Sequence, residues 1–98
     1  MLAVARLSDT FACTDVIKTG SGNVFVNNLA IARLTDQTTG HGPPPCFWPS
    51  TVIDKGSGSV FANNLAVARM TDTLATHCCG PSCHNSVINK GSGDVFAG

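Results

Sequence analysis

The sequence predicts an all-β domain built from three copies of one short hairpin unit, and two repeated motifs carry that prediction. The first motif reads VARLSD at 4–9, IARLTD at 31–36 and VARMTD at 67–72. The second reads KTGSGNVFVNNLA at 18–30, DKGSGSVFANNLA at 54–66 and NKGSGDVFAG at 89–98. Self-similarity of this kind indicates a repeat architecture in which each unit packs on its neighbours.

The spacing of the motifs defines the repeats. The motif aspartates, Asp9, Asp36 and Asp72, lie 27 and 36 residues apart, so the first repeat has a shorter loop. We expect one domain over residues 1–98, with repeats at approximately 4–30, 31–66 and 67–98. Because the N-terminal segment matches the half that the third repeat lacks, we expect residues 2–6 to pair beside 94–97. Residues 1–6 would then close a ring around a pseudo-threefold axis.

Each unit has the pattern of two short strands joined by a tight turn. NVFVNNLAIARL places apolar pairs on both sides of Asn27-Asn28, and Asn63-Asn64 does the same in the next repeat. Two consecutive Asn favour a type I′ hairpin, because Asn tolerates positive φ. Gly-Ser-Gly before each hairpin predicts a tight bend. We expect irregular structure only in the long loops at 37–51 and 73–86, with Pro43–Pro45 extended.

Composition narrows the classes of function. The chain has 98 residues, no net charge and only six basic side chains, so a nucleic-acid partner is not expected. No apolar run approaches a membrane span, and MLAVARLSD lacks the basic start of a secretory signal. We therefore expect synthesis in the reducing cytoplasm. There, clustered Cys and His indicate a metal more often than disulfides.

A repeat rule selects four candidate metal ligands. Five residues after the motif aspartates stand Thr14, His41 and His77, and seven residues before the first Gly of Gly-Ser-Gly stand Cys13, Pro49 and His84. Equivalent loops converge near a pseudo-threefold axis, so we expect Cys13, His41, His77 and His84 to share one site. One thiolate and three imidazoles suit tetrahedral zinc, and four protein ligands make the site structural.

The segment THCCGPSCH at 76–84 leaves alternatives open. Cys83 is an alternative sulfur ligand to Cys13, because it adjoins His84. Cys46, Cys78 and Cys79 are interpreted as small buried or loop thiols. A disulfide such as Cys79–Cys83 is the competing interpretation, which the reducing compartment disfavours. The interleaved order of Cys and His excludes a conventional zinc finger. A Cys/His nucleophile pair would need an orienting group and a pocket, for which the chain has little room.

Two further sets of residues have expected roles. Phe47 and Trp48 are predicted to cover the base of the Pro-rich loop, with contact to a partner as the alternative. Arginine and aspartate recur together in each repeat, and bidentate pairing suits them. We expect a ring of structural ion pairs formed by Arg6 with Asp9, Arg33 with Asp36 and Arg69 with Asp72.

The segments LAIARLTDQTTGHG, GSGNVFVNNLAIAR and GSGSVFANNLAVAR resemble the PAAR-repeat proteins over nearly the whole chain. The resemblance implies a small conical β-fold with a sharp vertex held by zinc. It implies docking of one copy by its flat base onto a trimeric β-helix. That helix is the valine-glycine-repeat spike protein of type VI secretion, or the tail spike of contractile-tailed phages.

The chain departs from the family pattern at several positions. The usual Asn-Gly turn is Asn-Asn, and the usual Gly before the motif aspartate is Ser8, Thr35 or Thr71. Cys13-Thr14-Asp15 stands where the family often has His-Gly-Gly, and His84 stands where it often has Cys. These two exchanges keep a set of one Cys and three His.

The expected function is a membrane-piercing spike tip without enzymatic activity. The alternative is a zinc-binding adaptor that recruits a separate effector to the spike. The expected partners are the spike trimer, effector proteins and, transiently, a target membrane. The expected location is the tip of an injection machine or virion tail, from which the protein leaves the cell.

Overall fold

The structure, a computed structural model, describes residues 1–42 and 46–98 and confirms the all-β prediction. Within these ranges there is no helix, and hence none that could cross a membrane. The extended conformation expected for Pro43–Pro45 lies outside the described residues. The strands are short: β1 (Leu2–Ala3), β2 (Phe25–Val26), β3 (Leu29–Ala30), β4 (Phe61–Ala62), β5 (Leu65–Ala66), β6 (His77–Cys79), β7 (Ser82–His84) and β8 (Phe96–Ala97).

Two hairpins form as the Asn-Asn motifs predict. β2 pairs with β3 and β4 pairs with β5, both antiparallel with a two-residue turn. The turn residues have positive φ, 55° and 66° in Asn27-Asn28 and 53° and 64° in Asn63-Asn64, as a type I′ turn requires. A third antiparallel pair joins β1 to β8, with Leu2 opposite Ala97. The third hairpin position is thus filled by two segments from opposite ends of the chain.

A fourth hairpin lies in a segment that is predicted from the sequence to be an irregular loop. β6 pairs with β7 so that His77 faces His84, Cys78 faces Cys83 and Cys79 faces Ser82. The expectation for this part of 73–86 is wrong because Gly80 adopts a positive φ of 58° and turns the chain back. The segment HCCGPSCH is nearly palindromic about Gly80-Pro81, and this pattern in the sequence indicates a hairpin with its turn at Gly80-Pro81.

Three buried alanines join the repeats around the pseudo-threefold axis. The amide of Ala5 donates to the carbonyl of Ala68 at 2.9 Å, Ala32 donates to Ala5 at 3.0 Å and Ala68 donates to Ala32 at 3.0 Å. All three alanines are completely buried. We call these peptide groups the alanine ring. Because three chain segments meet here, a side chain larger than a methyl group would have no room.

The core consists of two clusters that adjoin at the alanine ring. The hairpin cluster contains Val4, Val26, Ile31, Ala62, Val67 and Ala97. The central cluster contains Ala5, Phe11, Ile17, Ala32, Ile53, Ala68, Leu74 and Ile88, and Cys13 packs against it. Adjacent residues in each repeat, such as Val4 and Ala5, belong to different clusters. The β1–β8, β2–β3 and β4–β5 pairs therefore lie at one end of the core and Cys13 lies at the other, in a molecule measuring 38 × 23 × 22 Å.

The predicted Arg–Asp pairs are confirmed in all three repeats. The Nε of Arg6, Arg33 and Arg69 lies 2.9, 3.0 and 2.9 Å from Oδ2 of the paired aspartate. The second guanidinium contact, from Nη2 to Oδ1, makes each pair bidentate. The hydrogen bond to aspartate raises the pKa of each arginine above its usual value, against the opposing effect of burial. The same carboxylate oxygen accepts the arginine backbone amide, so each pair also fixes a turn.

The Gly-Ser-Gly bends form for a different reason from the one predicted. None of their glycines has positive φ. Instead, the hydroxyl of Ser21, which is buried, accepts hydrogen bonds from the amides of Asn23 and Val24. A Cβ on Gly20 would lie 2.9 Å from the carbonyl oxygen of Ile31. Serine therefore makes the bend, and the first glycine permits close approach of the neighbouring backbone.

The residue before each motif aspartate has a strained backbone. Ser8, Thr35 and Thr71 have φ of 75°, 76° and 76°, in the left-handed region. A residue with a Cβ costs about 1–2 kcal/mol there, and β-branched threonine is especially unfavourable. The strain accounts physically for the glycine that PAAR-repeat sequences usually have at this place.

Replacing Thr35 with glycine should therefore stabilise the protein. The Thr35 side chain is exposed, so little is lost with it. We expect Thr35→Gly to raise the free energy of unfolding by about 0.5–1 kcal/mol. This value is the backbone strain that is relieved, minus the cost of the greater conformational entropy of glycine in the unfolded chain. Denaturant unfolding of metal-free protein measures the change. Thr76→Gly, at an exposed residue without positive φ, is the control and should be destabilising. Equal destabilisation by both variants would contradict the prediction.

Candidate metal centre

The four predicted ligands come together at one end of the molecule. The donor atoms of Cys13, His41, His77 and His84 all lie within 4.8 Å of one another. Nε2 of His41 is 3.2 Å from Nε2 of His77 and 3.0 Å from Nε2 of His84, and the last two nitrogens are 2.9 Å apart. Residues from all three repeats thus meet at a single point, as the repeat rule predicts.

A tight turn at 11–15 explains why the first repeat contributes Cys13. The amide of Thr14 donates to the carbonyl of Phe11, and the amide of Phe11 donates to the carbonyl of Asp15. Thr14 has a φ of 77° and is exposed. Thr14 occupies the place in the repeat that His41 and His77 occupy elsewhere, but its side chain is turned to solvent. The preceding residue, Cys13, packs on the core and supplies the sulfur.

The histidines are placed by local pairing. His77 and His84 are directly opposite in the β6–β7 hairpin, so both side chains lie on the same face. His41 forms an isolated antiparallel bridge with Trp48. Gly40 and Gly42 flank His41 with φ of 84° and 115°, conformations that a residue with a side chain rarely adopts.

The chemistry of the donor set fits a metal ion. Nδ1 of His77 lies 2.7 Å from the carbonyl oxygen of Pro49. Because a carbonyl oxygen can only accept a hydrogen bond, His77 carries its hydrogen on Nδ1 and directs the Nε2 lone pair at the other two imidazoles. A cation at the centre of the three rings would be coordinated by such lone pairs. Tetrahedral zinc with Zn–N bonds of about 2.0–2.1 Å separates its nitrogens by roughly 3.3 Å, close to the observed triangle.

The environment of His84 favours the neutral imidazole that a metal requires. Burial lowers the pKa of His84 below its usual value, and the charges of protonated His77 and His41 lower it further. Asp15 acts in the opposite direction. Since only neutral imidazole coordinates a metal, clustering of the three rings disfavours the protonated form that would compete with binding.

Trp48 covers the histidines, which differs from its predicted place at the base of the loop. Its ring stacks on His41 with a centroid distance of 5.3 Å and an interplanar angle of 14°, and on His84 at 4.7 Å and 30°. Its Nε1 donates to the carbonyl of Ser82 at 3.1 Å. Phe47 remains 53% exposed. Trp48 therefore shields two of the imidazoles from water and holds their planes.

Four cysteines form two disulfides, so the expectation of loop thiols is wrong. Cys46 is bonded to Cys79 and Cys78 to Cys83, whereas the alternative pair considered from the sequence was Cys79–Cys83. Cys78 and Cys83 are opposite in the hairpin register, and neighbouring Cys79 points to the other face, where it meets Cys46. Hairpin geometry thus selected the pairs. Cys13 is the free cysteine among the described residues, which favours it over Cys83 as sulfur donor.

Comparison with known proteins agrees with the sequence resemblance. The family model described as PAAR motif matches residues 15–80, which is more than half of the chain. No curated protein matches the chain. The protein therefore belongs to the PAAR-motif family. Membership indicates a spike-tip protein of a contractile injection system, and the cluster of Cys13 with three histidines is compatible with a bound metal.

The source of the sulfur ligand can be tested by metal content. We expect about one metal ion per chain in the unmodified protein and a large loss in Cys13→Ser, because a serine hydroxyl is a poor zinc ligand. The control is Cys78→Ser with Cys83→Ser, which removes the exposed disulfide without leaving a free thiol. Native mass spectrometry measures the metal. Loss of the metal in the double variant, together with retention of the metal in Cys13→Ser, would identify Cys83 in β7 as the sulfur ligand.

Trp48 provides a direct report on the same site, because it is the only tryptophan in the chain. Its stacking on two imidazoles should make its emission sensitive to their charge and position. Adding zinc to metal-free protein should change Trp48 fluorescence, with saturation near one equivalent. His84→Ala should abolish most of the change, whereas Phe47→Leu, beside the site but without a donor, should preserve it. An unchanged spectrum in protein that binds zinc would contradict the stacked arrangement.

Proposed function

We propose that this protein is a non-enzymatic, membrane-piercing tip that caps the trimeric β-helical spike of a contractile injection machine, either a type VI secretion system or a phage tail. One observation carries the proposal. A single chain presents three equivalent strand pairs at one end, while its opposite end converges on four metal donors. Such a molecule combines a base of pseudo-threefold symmetry with a closed point.

The base has the surface that docking requires. Phe25, Phe61 and Phe96 occupy equivalent positions in the three strand pairs and are 58%, 58% and 48% exposed. Val60, Val95 and Leu2 are also exposed nearby in sequence. We call these six residues the base patch. Large apolar side chains repeated on the surface of so small a protein indicate a partner. Pseudo-threefold repetition suits the end of a trimer, with one copy of this chain on each spike.

The end of a β-helix needs such a cap. Its terminal strands expose unpaired backbone groups, which invite aggregation. The short β-strands of the base are suited to continue the ladder of the trimer, while the phenylalanines bury their rings against it. The cap would thereby protect the strand edges and transmit axial force to the point.

A structural zinc fits the other end. Cys13 and the three histidines supply four protein donors, the number that structural zinc sites use, and leave no position for a substrate. Metal binding adds folding free energy, which matters in a domain with a small core. The proposed role of zinc is therefore to hold the point rigid, with no catalytic step.

The proposal extends to where the protein acts. We propose synthesis in the bacterial cytoplasm without a signal peptide, followed by delivery out of the cell on the machine. Separate effector proteins are proposed as additional cargo or partners. The target membrane is contacted only during injection.

Docking can be tested with two variants that introduce the same negative charge, one in the base patch and one beside the metal centre. The test uses a purified trimeric β-helical spike protein from the same source as this chain. We expect Phe61→Glu to weaken binding at least about tenfold, because it loses an apolar contact and buries a charge. Phe47→Glu introduces the same charge on a phenylalanine of similar exposure beside the metal centre, and should bind normally. Biolayer interferometry measures affinity, and metal content verifies folding.

The outcomes separate the candidate functions. A stoichiometry of one chain per spike trimer, sensitive to the base and not to the tip, supports the cap. Binding disrupted by Phe47→Glu but not by Phe61→Glu would overturn the docking orientation. Binding of an effector by this chain, with no affinity for the spike, would overturn the cap.

A further inference from the structure

The ligand loops are held by side chains from neighbouring repeats, at a position that the sequence motifs do not mark. The position is the residue before each Val-Ile pair, and it is occupied by Asp15, Thr51 and Ser86. Each of these side chains forms a hydrogen bond to a loop that carries a ligand in a different repeat. We call these three residues the bracing ring.

The contact made by Asp15 is the most extensive. Its Oδ1 accepts the amide of Gly40 at 2.9 Å and the hydroxyl of Thr39 at 3.0 Å. Gly40 directly precedes His41, and Asp15 itself follows Cys13 by two residues. The carboxylate therefore connects two ligand segments from different repeats and fixes the separation between them.

Ser86 and Thr51 make the corresponding contacts in the other repeats. The hydroxyl of Ser86 accepts the amide of Cys13 at 3.0 Å, and that of Thr51 donates to the carbonyl of Ala75 at 3.1 Å. Ala75 precedes His77 by two residues. Contacts thus run from the first repeat to the second, from the second to the third and from the third back to the first.

Backbone hydrogen bonds reinforce the same junctions. The carbonyl of the residue after each bracing residue accepts an amide of the same ligand loop: Val16 from Thr39 at 2.9 Å, Val52 from Ala75 at 2.7 Å and Val87 from Ala12 at 2.9 Å. Because the backbone bonds do not depend on side-chain identity, the side-chain bonds of the bracing ring are the part that mutation can remove. His84 is held differently, by the β6–β7 pairing and Trp48.

One oxygen of the Asp15 carboxylate has no hydrogen-bond partner among the residues that the structure describes. Asp15 is fully buried, and the oxygen without a partner in the described part of the chain is Oδ2. Its other oxygen, Oδ1, therefore makes the hydrogen bonds that connect Asp15 to the second ligand loop.

We propose that Asp15, Thr51 and Ser86 are positioning residues that pre-set the metal centre. The inference rests on the proposed metal site. Partners of metal ligands orient the donor groups and commonly change affinity by about 10–100-fold when they are removed. The bracing ring performs that task across repeats, so metal binding and closure of the three-repeat ring stabilise each other.

The test compares metal affinity in matched variants. Asp15→Asn keeps the size and weakens the acceptor of the Thr39 and Gly40 hydrogen bonds, and Asp94→Asn makes the same change on an exposed carboxylate beside the base patch, away from the ligand loops. Ser86→Ala removes one bracing hydroxyl, Ser86→Thr restores it, and Ser59→Ala is the exposed control. Zinc affinity is measured by competition with a chromophoric chelator. The visible spectrum of bound Co²⁺ reports ligand geometry.

We expect Asp15→Asn to weaken zinc binding about 10–100-fold. Ser86→Ala should weaken zinc binding about tenfold and alter the Co²⁺ spectrum. Ser86→Thr should recover both the affinity and the spectrum. The two control variants should match the unmodified protein. Affinity and spectrum unchanged in Asp15→Asn and Ser86→Ala would overturn the bracing ring and leave the metal site intact. A fall only in the melting temperature of metal-free protein would assign these residues a structural role instead. Failure of the unmodified protein to bind zinc or Co²⁺ would overturn the metal site and the inference together.

Discussion

Three alanine peptide groups hydrogen-bond to one another around the pseudo-threefold axis, and this cyclic closure is the constraint on which the rest of the fold depends. The amide of Ala32 is satisfied by the first repeat and that of Ala68 by the second, while the amide of Ala5 is satisfied by the third. No repeat can therefore satisfy its own central backbone groups, and a buried amide without a partner is costly. Only the complete set of three closes the ring, which explains how strands of two residues form a stable core.

The two ends of this frame use its symmetry differently. At the base, the repeats remain equivalent and present the same aromatic residue in each strand pair. At the tip, three repeats bring four donor side chains together, so the repeats cannot contribute equally. In the shorter first loop the donor is Cys13, one residue before the place that His41 and His77 occupy in the other repeats. The third loop adds a hairpin that brings His84 opposite His77. The ligand loops therefore differ between the repeats, whereas at the base the difference is that the chain ends replace the Asn-Asn turn in one strand pair.

Two disulfides lie close to the four donor side chains. The Cys78–Cys83 disulfide joins the strands of the β6–β7 hairpin, and Cys46–Cys79 connects that hairpin to the segment that carries Trp48. Trp48 in turn stacks on two histidines, so both disulfides support the surroundings of the same donor set. A small domain has limited apolar area for stability, and these two crosslinks restrain the chain next to the four donors.

The sequence by itself determined the repeats, the type I′ turns, the Arg–Asp pairs and the candidate positions of His41, His77 and His84, because each of these follows from spacing within or between copies of one motif. Only the tertiary structure decided the β6–β7 register, the cysteine pairs, the preference for Cys13 over Cys83 and the bracing ring. The alternation of faces along β6 separates Cys78 from Cys79, a consequence of pairing that spacing alone does not show. The contacts of Asp15, Thr51 and Ser86 join different repeats through three unlike side chains, so no motif records them. They exist because closure of the ring brings the loop of one repeat against the next.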